Sequence, residues 1–585
     1  MAVRQLLLAA AALGMTTPAW AGTAEDFHAL QDSYWAAYLK DSPITASSVG
    51  VQTYDRELDR VGLAEQDRLA AEAKAYLAAL DAIPMAALPP ADQANYSILH
   101  RQLANAIESN RFGSRALNYG GSGGTHNYFA GMADQQPFRT RADYGNYLAR
   151  IALVPERMAA YTAMSVDAAR RGYTQPCVTM TKFEGTISGS IAADPTKSRF
   201  YAPFAAKRPD SIAAADWSAL QQRATALISA KINPSYAAFG DAYARDIKSK
   251  CRTAVGVGAL PDGKAYYDYL VRFHTTTAMT PEQIHALGLS EVARIRAEME
   301  AVAKKAGFAS REAMIADMRT NPKYFAKSPE ELMEAAARMA KTIDGKMPTL
   351  FGRLPRLPYG VREIPAETAE GNTTAYYNPG SPDAGVSGTY YVNTTHLDQR
   401  PLWELPALTA HEAVPGHHNQ IALQQELDQP AWRKYTSYFT AFTEGWGLYS
   451  EHLGIELGLY DTPQKDMGHL SYEMWRACRL VVDTGLHAKG WSKDQAVKFM
   501  KDNTALTDAN IDAEVNRYIS TPGQALAYKI GELKILELRT LATRELGDKF
   551  DVRRFHDAVL GQGNVPLDTL ETQIKTWIAA EKART

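Results

Sequence analysis

Apolar residues return every three or four positions through most of this chain, and that period commits it to amphipathic helices that must find partners for their apolar faces. The pattern holds over Asp26 to Lys40, Glu65 to Ala82, Pro90 to Asn110, Tyr144 to Arg171, Trp217 to Ala244 and Thr280 to Ala306. In the last stretch Thr280-Pro281-Glu282-Gln283 supplies an N-cap, a proline at the first helical position and the glutamine of a capping box. Strand signals are few. Gly388 to Thr394 is the best, with Thr373 to Tyr377 as a partner. Residues 118–131, with four glycines between Gly120 and Gly124, read as a surface loop. There is no internal repeat, and a weak break falls near Gly256 to Gly263. The expected fold is mainly α: a large two-lobed helical protein with a deep central cleft and a small β element beside the active-site helix. An N-terminal helical lobe (22–255) and a C-terminal catalytic lobe (256–585) are expected to form one continuous unit.

Residues 1–21 are expected to be a cleaved signal peptide. Arg4 gives the positive start, Leu6-Leu7-Leu8 and the following alanines the apolar run, and Ala19-Trp20-Ala21 the small-x-small cleavage site. No cysteine follows the cut, which argues against a lipid anchor, and no later apolar run has membrane-spanning length. The expected location is periplasmic or secreted. With 63 Lys+Arg against 65 Asp+Glu the chain has no field to attract nucleic acid or an anionic membrane. Three cysteines, Cys177, Cys251 and Cys478, rule out a disulfide framework. One bridge is compatible with export, and Cys177–Cys251 is the expected pair; three buried thiols are the alternative.

Seven of the 13 histidines lie between His396 and His487, centred on His411-Glu412-Ala413-Val414-Pro415-Gly416-His417-His418. Zinc hydrolases of the HExxH type place two histidines at i, i+4 on one helical face, with a glutamate beside the first to polarise metal-bound water. Here His411 and His417 are six apart, so an unbroken helix would point them to different faces. Pro415 cannot donate to residue 411 and clashes with its carbonyl, so the helix must bulge or break. A two-residue bulge returns His417 to the i+4 place, with His418 as a supporting donor; the reverse assignment stays open. A third ligand is expected from Glu444, in Glu444-Gly445-Trp446-Gly447-Leu448-Tyr449-Ser450-Glu451. Gly445 and Gly447 weaken a helix, which close approach of another helix or of substrate would explain. Glu451, one heptad on, could orient a histidine ligand.

These motifs resemble the DUF885 family of bacterial proteins, within the broad gluzincin-type metallopeptidase clan. The resemblance rests on His411 to His418, Glu444 to Glu451, Arg476 to His487 and Pro522 to Gly531, together with Leu260 to Gly263, Tyr266-Tyr267 and His274 to Thr276. It spans nearly the whole mature chain and is densest after residue 255. It implies a mostly helical fold with a deep channel and zinc peptidase chemistry. Related clan members with HExxGH use the histidine after glycine, which by analogy favours His417.

The resulting expectation is a metallopeptidase acting on short peptides. One Zn²⁺ is held by His411, His417 and Glu444, with Glu412 as general base and Tyr528 or His487 stabilising the oxyanion. Tyr528 could equally be a core tyrosine. Arg476, Arg479 and Lys529 could anchor a substrate carboxylate or form ion pairs with Asp483 or Glu473. Tyr390 to Asn393 could be an edge strand that holds extended peptide. The alternatives are a zinc amidohydrolase acting on a non-peptide amide and a periplasmic peptide-binding or scaffold protein with a degenerate metal site.

Overall fold

The computed structural model describes residues 24–584 apart from 122, 366–368, 370–372 and 383–385. The expected signal peptide lies outside the described residues. Helices follow the apolar periodicity closely: Ala24–Asp41, Leu63–Asp81 and Pro90–Ser109 form as expected. Two long stretches break where proline dictates. Pro155 cannot donate to Ile151, so Tyr144 to Arg171 divides into Arg141–Ile151 and Val154–Arg170. Pro234 likewise follows a widened turn, Ile228–Ile232, inside the Trp217 to Ala244 stretch.

Seven helices build the site and are labelled here: α1 (Pro281–Lys305), α2 (Leu405–Glu412), α3 (His417–Glu426), α4 (Thr440–Leu453), α5 (Pro463–Ala488), α6 (Asp508–Ser520) and α7 (Ala527–Leu546). The capping box opens α1 as expected: Gln283 N–H donates to the Thr280 hydroxyl (3.3 Å) and Thr280 N–H to the Gln283 side chain (2.9 Å). α5 is the axial helix. Every residue from Met467 to His487 is buried, so its polar side chains all need partners inside the protein. Gly288 of α1 admits it closely, since a Cβ there would lie 2.7 Å from Leu480 Cβ.

A three-stranded sheet stands beside α2: β1 (Tyr359–Glu363), β2 (Ala375–Asn378) and β3 (Gly388–Val392). β3 is central, parallel to β1 and antiparallel to β2. The expected pairing of the two best strand signals is therefore present, but the expected edge role of Tyr390 to Asn393 is not. β1, whose sequence carries no strong alternation, covers one side of it, and β1 and β2 are the two outer strands. Tyr390 and Thr409 hydroxyls meet at 3.4 Å and tie β3 to α2.

The expected loop 118–131 is also corrected. Tyr119–Gly120 and Gly123–Gly124 pair as a short ladder, and Thr125–Ala130 is a helix. Its His126 and Phe129 are buried against Phe183 and Phe239, so aromatic burial overrides the glycine signal.

One buried apolar cluster is drawn wholly from residues 44–247 and a second from residues 292–525. A third joins Phe27 and Leu30 of the first helix to Ile574 and Ile578 of the last. The Trp432 indole donates to Gln31 (2.9 Å) across the same junction. Cys177 and Cys251 are joined as a disulfide, and Cys478 is a buried free thiol. No described helix is long and apolar enough to cross a membrane.

Candidate metal centre

α2 stops at Glu412 and helix resumes at His417, with a cis Val414–Pro415 peptide in the link between them. Gly416 is required there: a Cβ would lie 1.9 Å from the His411 carbonyl oxygen and 2.5 Å from that of Ala410. The Trp446 indole fixes the link by donating to the Pro415 carbonyl (2.8 Å). The reversal brings His417 back beside His411, ring centres 4.7 Å apart and nearly perpendicular. Glu444 arrives on α4.

One donor atom each from His411, His417 and Glu444 lies within 4.8 Å of the others. Glu444 Oε2 stands 3.6 Å from His411 Nε2 and 3.5 Å from His417 Nε2. Those distances are long for hydrogen bonds. They match the spacing of co-ligands, since tetrahedral ligands with bonds of ~2.1 Å are about 3.4 Å apart. Two imidazoles and a carboxylate are also the donor set of hydrolytic zinc, so the residues fit that ion.

The supporting contacts agree. His411 Nδ1 donates to Glu451 (2.8 Å), which turns the Nε2 lone pair toward the cluster. The same Glu451 oxygen receives the Arg476 guanidinium at 3.0 Å. Burial works against charge on His411, but the Glu444 and Glu451 carboxylates beside it outweigh burial and raise the ring to about 9. Burial pushes Glu444 up, yet His411 and His417 overcome it and hold the carboxyl well below its usual range. The centre thus demands positive charge, which a proton or a dication can meet.

Both helix glycines have a cause. A Cβ on Gly447 would lie 2.7 Å from His411 Cε1, so α4 must be bare where the His411 ring crosses it. A Cβ on Gly445 would lie 2.5 Å from Gly531 Cα, where α4 and α7 touch backbone to backbone.

His418 points elsewhere. Its Nδ1 meets the Tyr377 hydroxyl at 3.0 Å and its ring packs 4.6 Å from Tyr359. Burial depresses it to about 4. It therefore supports the sheet, and is neither the supporting donor expected beside His417 nor the ligand of the reverse assignment.

His411, Glu412, His417, Glu444 and Tyr528 line one cavity of about 440 Å³. The Tyr528 ring lies parallel to His411, centres 6.4 Å apart. Burial and the nearby Glu444 charge raise its pKa, so the phenol keeps its proton. Pro522 does not open a helix: Gly523 is left-handed (φ 83°), Gln524–Leu526 is a single tight turn, and α7 begins at Ala527.

His487 is not in this cavity; it lines another with Val255, Gly256 and Trp491. Val257 N–H donates to its Nδ1 (3.0 Å), so Nε2 carries the proton and meets the Tyr518 carbonyl (3.0 Å). Both nitrogens are spent on backbone, so the expected oxyanion role has no free donor. Among the described residues Asp483 forms no ion pair with an arginine; it accepts from the Tyr267 hydroxyl (2.6 Å) and Gly523 N–H (3.0 Å). Lys529 is fully buried against Glu473 (2.7 Å), Glu532 (2.6 Å) and Glu291 (3.3 Å).

Sequence reasoning missed Tyr438, Glu514 and Arg517, which also line the cavity, and the place of the expected strand β2, whose Tyr376 and Tyr377 form part of its wall. They come from separate segments with no shared motif. Only the i, i+3 spacing of Glu514 and Arg517 was visible.

No curated protein matches the chain. A solved structure described as "the putative lipoprotein from Colwellia psychrerythraea" is 28% identical, with a TM-score of 0.88 over 95% of this chain and 99% of that one. A second, described as "a putative lipoprotein of unknown function from Shewanella oneidensis", shares the fold at 20% identity, with a TM-score of 0.73 over 94% of this chain and 99% of that one. Residues 43–574 match the family described as "Bacterial protein of unknown function (DUF885)". The chain, with its paired histidines, bare-faced α4 and central α5, belongs to the DUF885 family.

Proposed function

We propose that this chain is an exported zinc-dependent peptidase of the gluzincin type that hydrolyses short peptides. The observation that carries the reading is the convergence of His411, His417 and Glu444 in one cavity with Glu412, a carboxylate adjoining the first ligand. His411 Nε2, His417 Nε2 and the Glu444 carboxylate would hold one Zn²⁺. When bound, that ion supplies a Lewis acid and lowers the pKa of its water toward 7. Glu412 takes the proton of the attacking water and returns it to the leaving amine. Tyr528, kept protonated, donates its hydroxyl to the developing oxyanion. Glu451 holds the His411 ring in its donor tautomer. The outer strand β2 on the cavity wall, paired on one side only among the described residues, suits an extended peptide added by main-chain hydrogen bonds. A pocket of this size admits a few residues and excludes folded protein. The Cys177–Cys251 disulfide supports export to an oxidising compartment.

The test is metal content together with turnover of a peptide library. About one zinc per chain is expected in the wild type and in Glu412→Gln and His418→Ala. His411→Ala, His417→Ala and Glu444→Ala should lose it. Glu412→Gln should keep the metal and lose hydrolysis. Absence of stoichiometric metal after zinc is supplied refutes the mechanism. Metal with peptide binding but no turnover leaves a binding protein.

A further inference from the structure

Three cations stand near the centre on α5 and α7, and the structure gives them different tasks. Arg476 is neutralised by Glu451, and Lys529 is enclosed by three carboxylates. Arg479 is different. It shares a single carboxylate, Glu514, with Arg517: Nη2 of each lies 3.0 Å from Glu514 Oε2. Two guanidiniums against one carboxylate leave one positive charge unbalanced on the cavity wall.

The pair is also held in place. The Arg479 guanidinium is clamped between Trp475 (4.5 Å) and Tyr528 (4.3 Å), and its Nε donates to the Tyr518 hydroxyl (3.1 Å). Its side chain is 4% exposed, and Nη1 has no partner among the described residues. Arg517 is one-third exposed and spends three of its five donors, two on Glu514 and one on Gln524. Burying a guanidinium without a full complement of acceptors costs stability, so this arrangement points to an anion from outside the chain.

We infer that Arg479 and Arg517 form a subsite for a carboxylate of the substrate, with Arg517 as the accessible contact and Arg479 as the fixed charge behind it. This rests on the peptidase reading and names its substrate class: peptides bearing a carboxylate just beyond the bond that is cut. The position follows from stacking. Arg479 lies against Tyr528, and Tyr528 lies parallel to His411, so the charge stands one side chain away from the ligand ring. The steps of 4.3 and 6.4 Å are spanned by an extended chain of about three residues at ~3.5 Å each, so the carboxylate belongs to one of the first few residues after the scissile bond. It comes either from the chain terminus, making the enzyme release short C-terminal pieces, or from an aspartate or glutamate side chain in that stretch.

The test uses three otherwise identical peptides: one with a free C-terminus, one with a C-terminal amide, and an amide with glutamate after the scissile bond. Binding is measured by calorimetry on full-length, zinc-loaded Glu412→Gln protein, and turnover on the wild type. Either acidic peptide should bind at least about tenfold tighter than the neutral amide. Which one does so identifies the source of the carboxylate. In Arg517→Met the advantage should fall below about twofold, with KM rising more than kcat falls. Arg517→Lys should restore only part of it, because a lysine cannot make the paired contact. Arg479→Met is the second variant, and Arg517→Met serves alone if it does not fold. Equal binding of all three peptides overturns the inference. So does an acid preference that survives both substitutions, since that carboxylate would be bound elsewhere. If no peptide is hydrolysed but the Arg517-dependent preference remains, the peptidase reading falls and the subsite stands.

Discussion

Glu451→Gln is the perturbation that best tests how the centre is supported. Glu451 is 1% exposed, and one of its oxygens serves both His411 Nδ1 (2.8 Å) and Arg476 Nη2 (3.0 Å). Glutamine keeps the size and an acceptor but removes the charge. Arg476, 5% exposed at its side chain, is then left with the Tyr472 carbonyl and the faces of Tyr472 and Trp475. Breaking a buried pair from one side costs about 3–5 kcal/mol. The metal term is separate: loss of a carboxylate behind a histidine ligand weakens zinc by about 10–100-fold. Stability should be read from denaturation of zinc-free protein, because bound metal adds its own stabilisation. Zinc affinity should be read by chelator competition. Arg476→Met alone should also destabilise, by stranding Glu451. The double variant should lose less than the sum of the two singles, by about 2 kcal/mol or more. Additive losses would show that the two groups do not interact, and an unchanged zinc affinity would refute the orienting role of Glu451.

Two further outcomes follow from packing and titration. Gly445→Ala must separate α4 from α7 at the Gly531 contact; the strain of about 1–3 kcal/mol exceeds the helix-propensity gain of about 1, so its melting temperature should fall. Gly145→Ala, in a helix with nothing within 4 Å, should raise it instead, and a stable Gly445→Ala would refute the close contact. Stability should also fall steeply between about pH 6.5 and 4. Burial depresses His126, His274, His469, His487 and His556 to about 4, so each favours folding above 6.5 and costs about 3 kcal/mol once it must charge. Asp483 and Glu404, raised to about 7 by burial, work the other way: their contribution is present below about 4 and lost as pH rises through 7. Two carboxylates cannot offset five histidines, and a flat melting profile from pH 6.5 to 4.5 would refute this balance.

Much of the site was legible because its chemistry is local in sequence. Pro415 had to interrupt a helix, and the interruption returns His417 to His411. Gly445 and Gly447 had to mark close approaches, and those prove to be a neighbouring helix and the His411 ring. What stayed hidden depends on partners distant in the chain. Tyr390 reads as a good strand residue whether its strand lies at an edge or a centre, and β1, with little alternation of its own, decides that. His487 matches a motif as well as His411 does, yet Val257 and Tyr518 occupy both its nitrogens.

The sequence by itself determined most of the helices, the break at Pro415 and the residue types gathered around His411, because period, ring closure and donor chemistry are carried by neighbours in the chain. The tertiary structure alone decided which charges are spent and which are free. Arg476 and Arg479 are three residues apart on one helix and identical in kind. One meets Glu451 from α4, and the other shares Glu514 with Arg517 from α6. A buried charge takes its role from the countercharge that packing brings to it, and no spacing along a single helix encodes that.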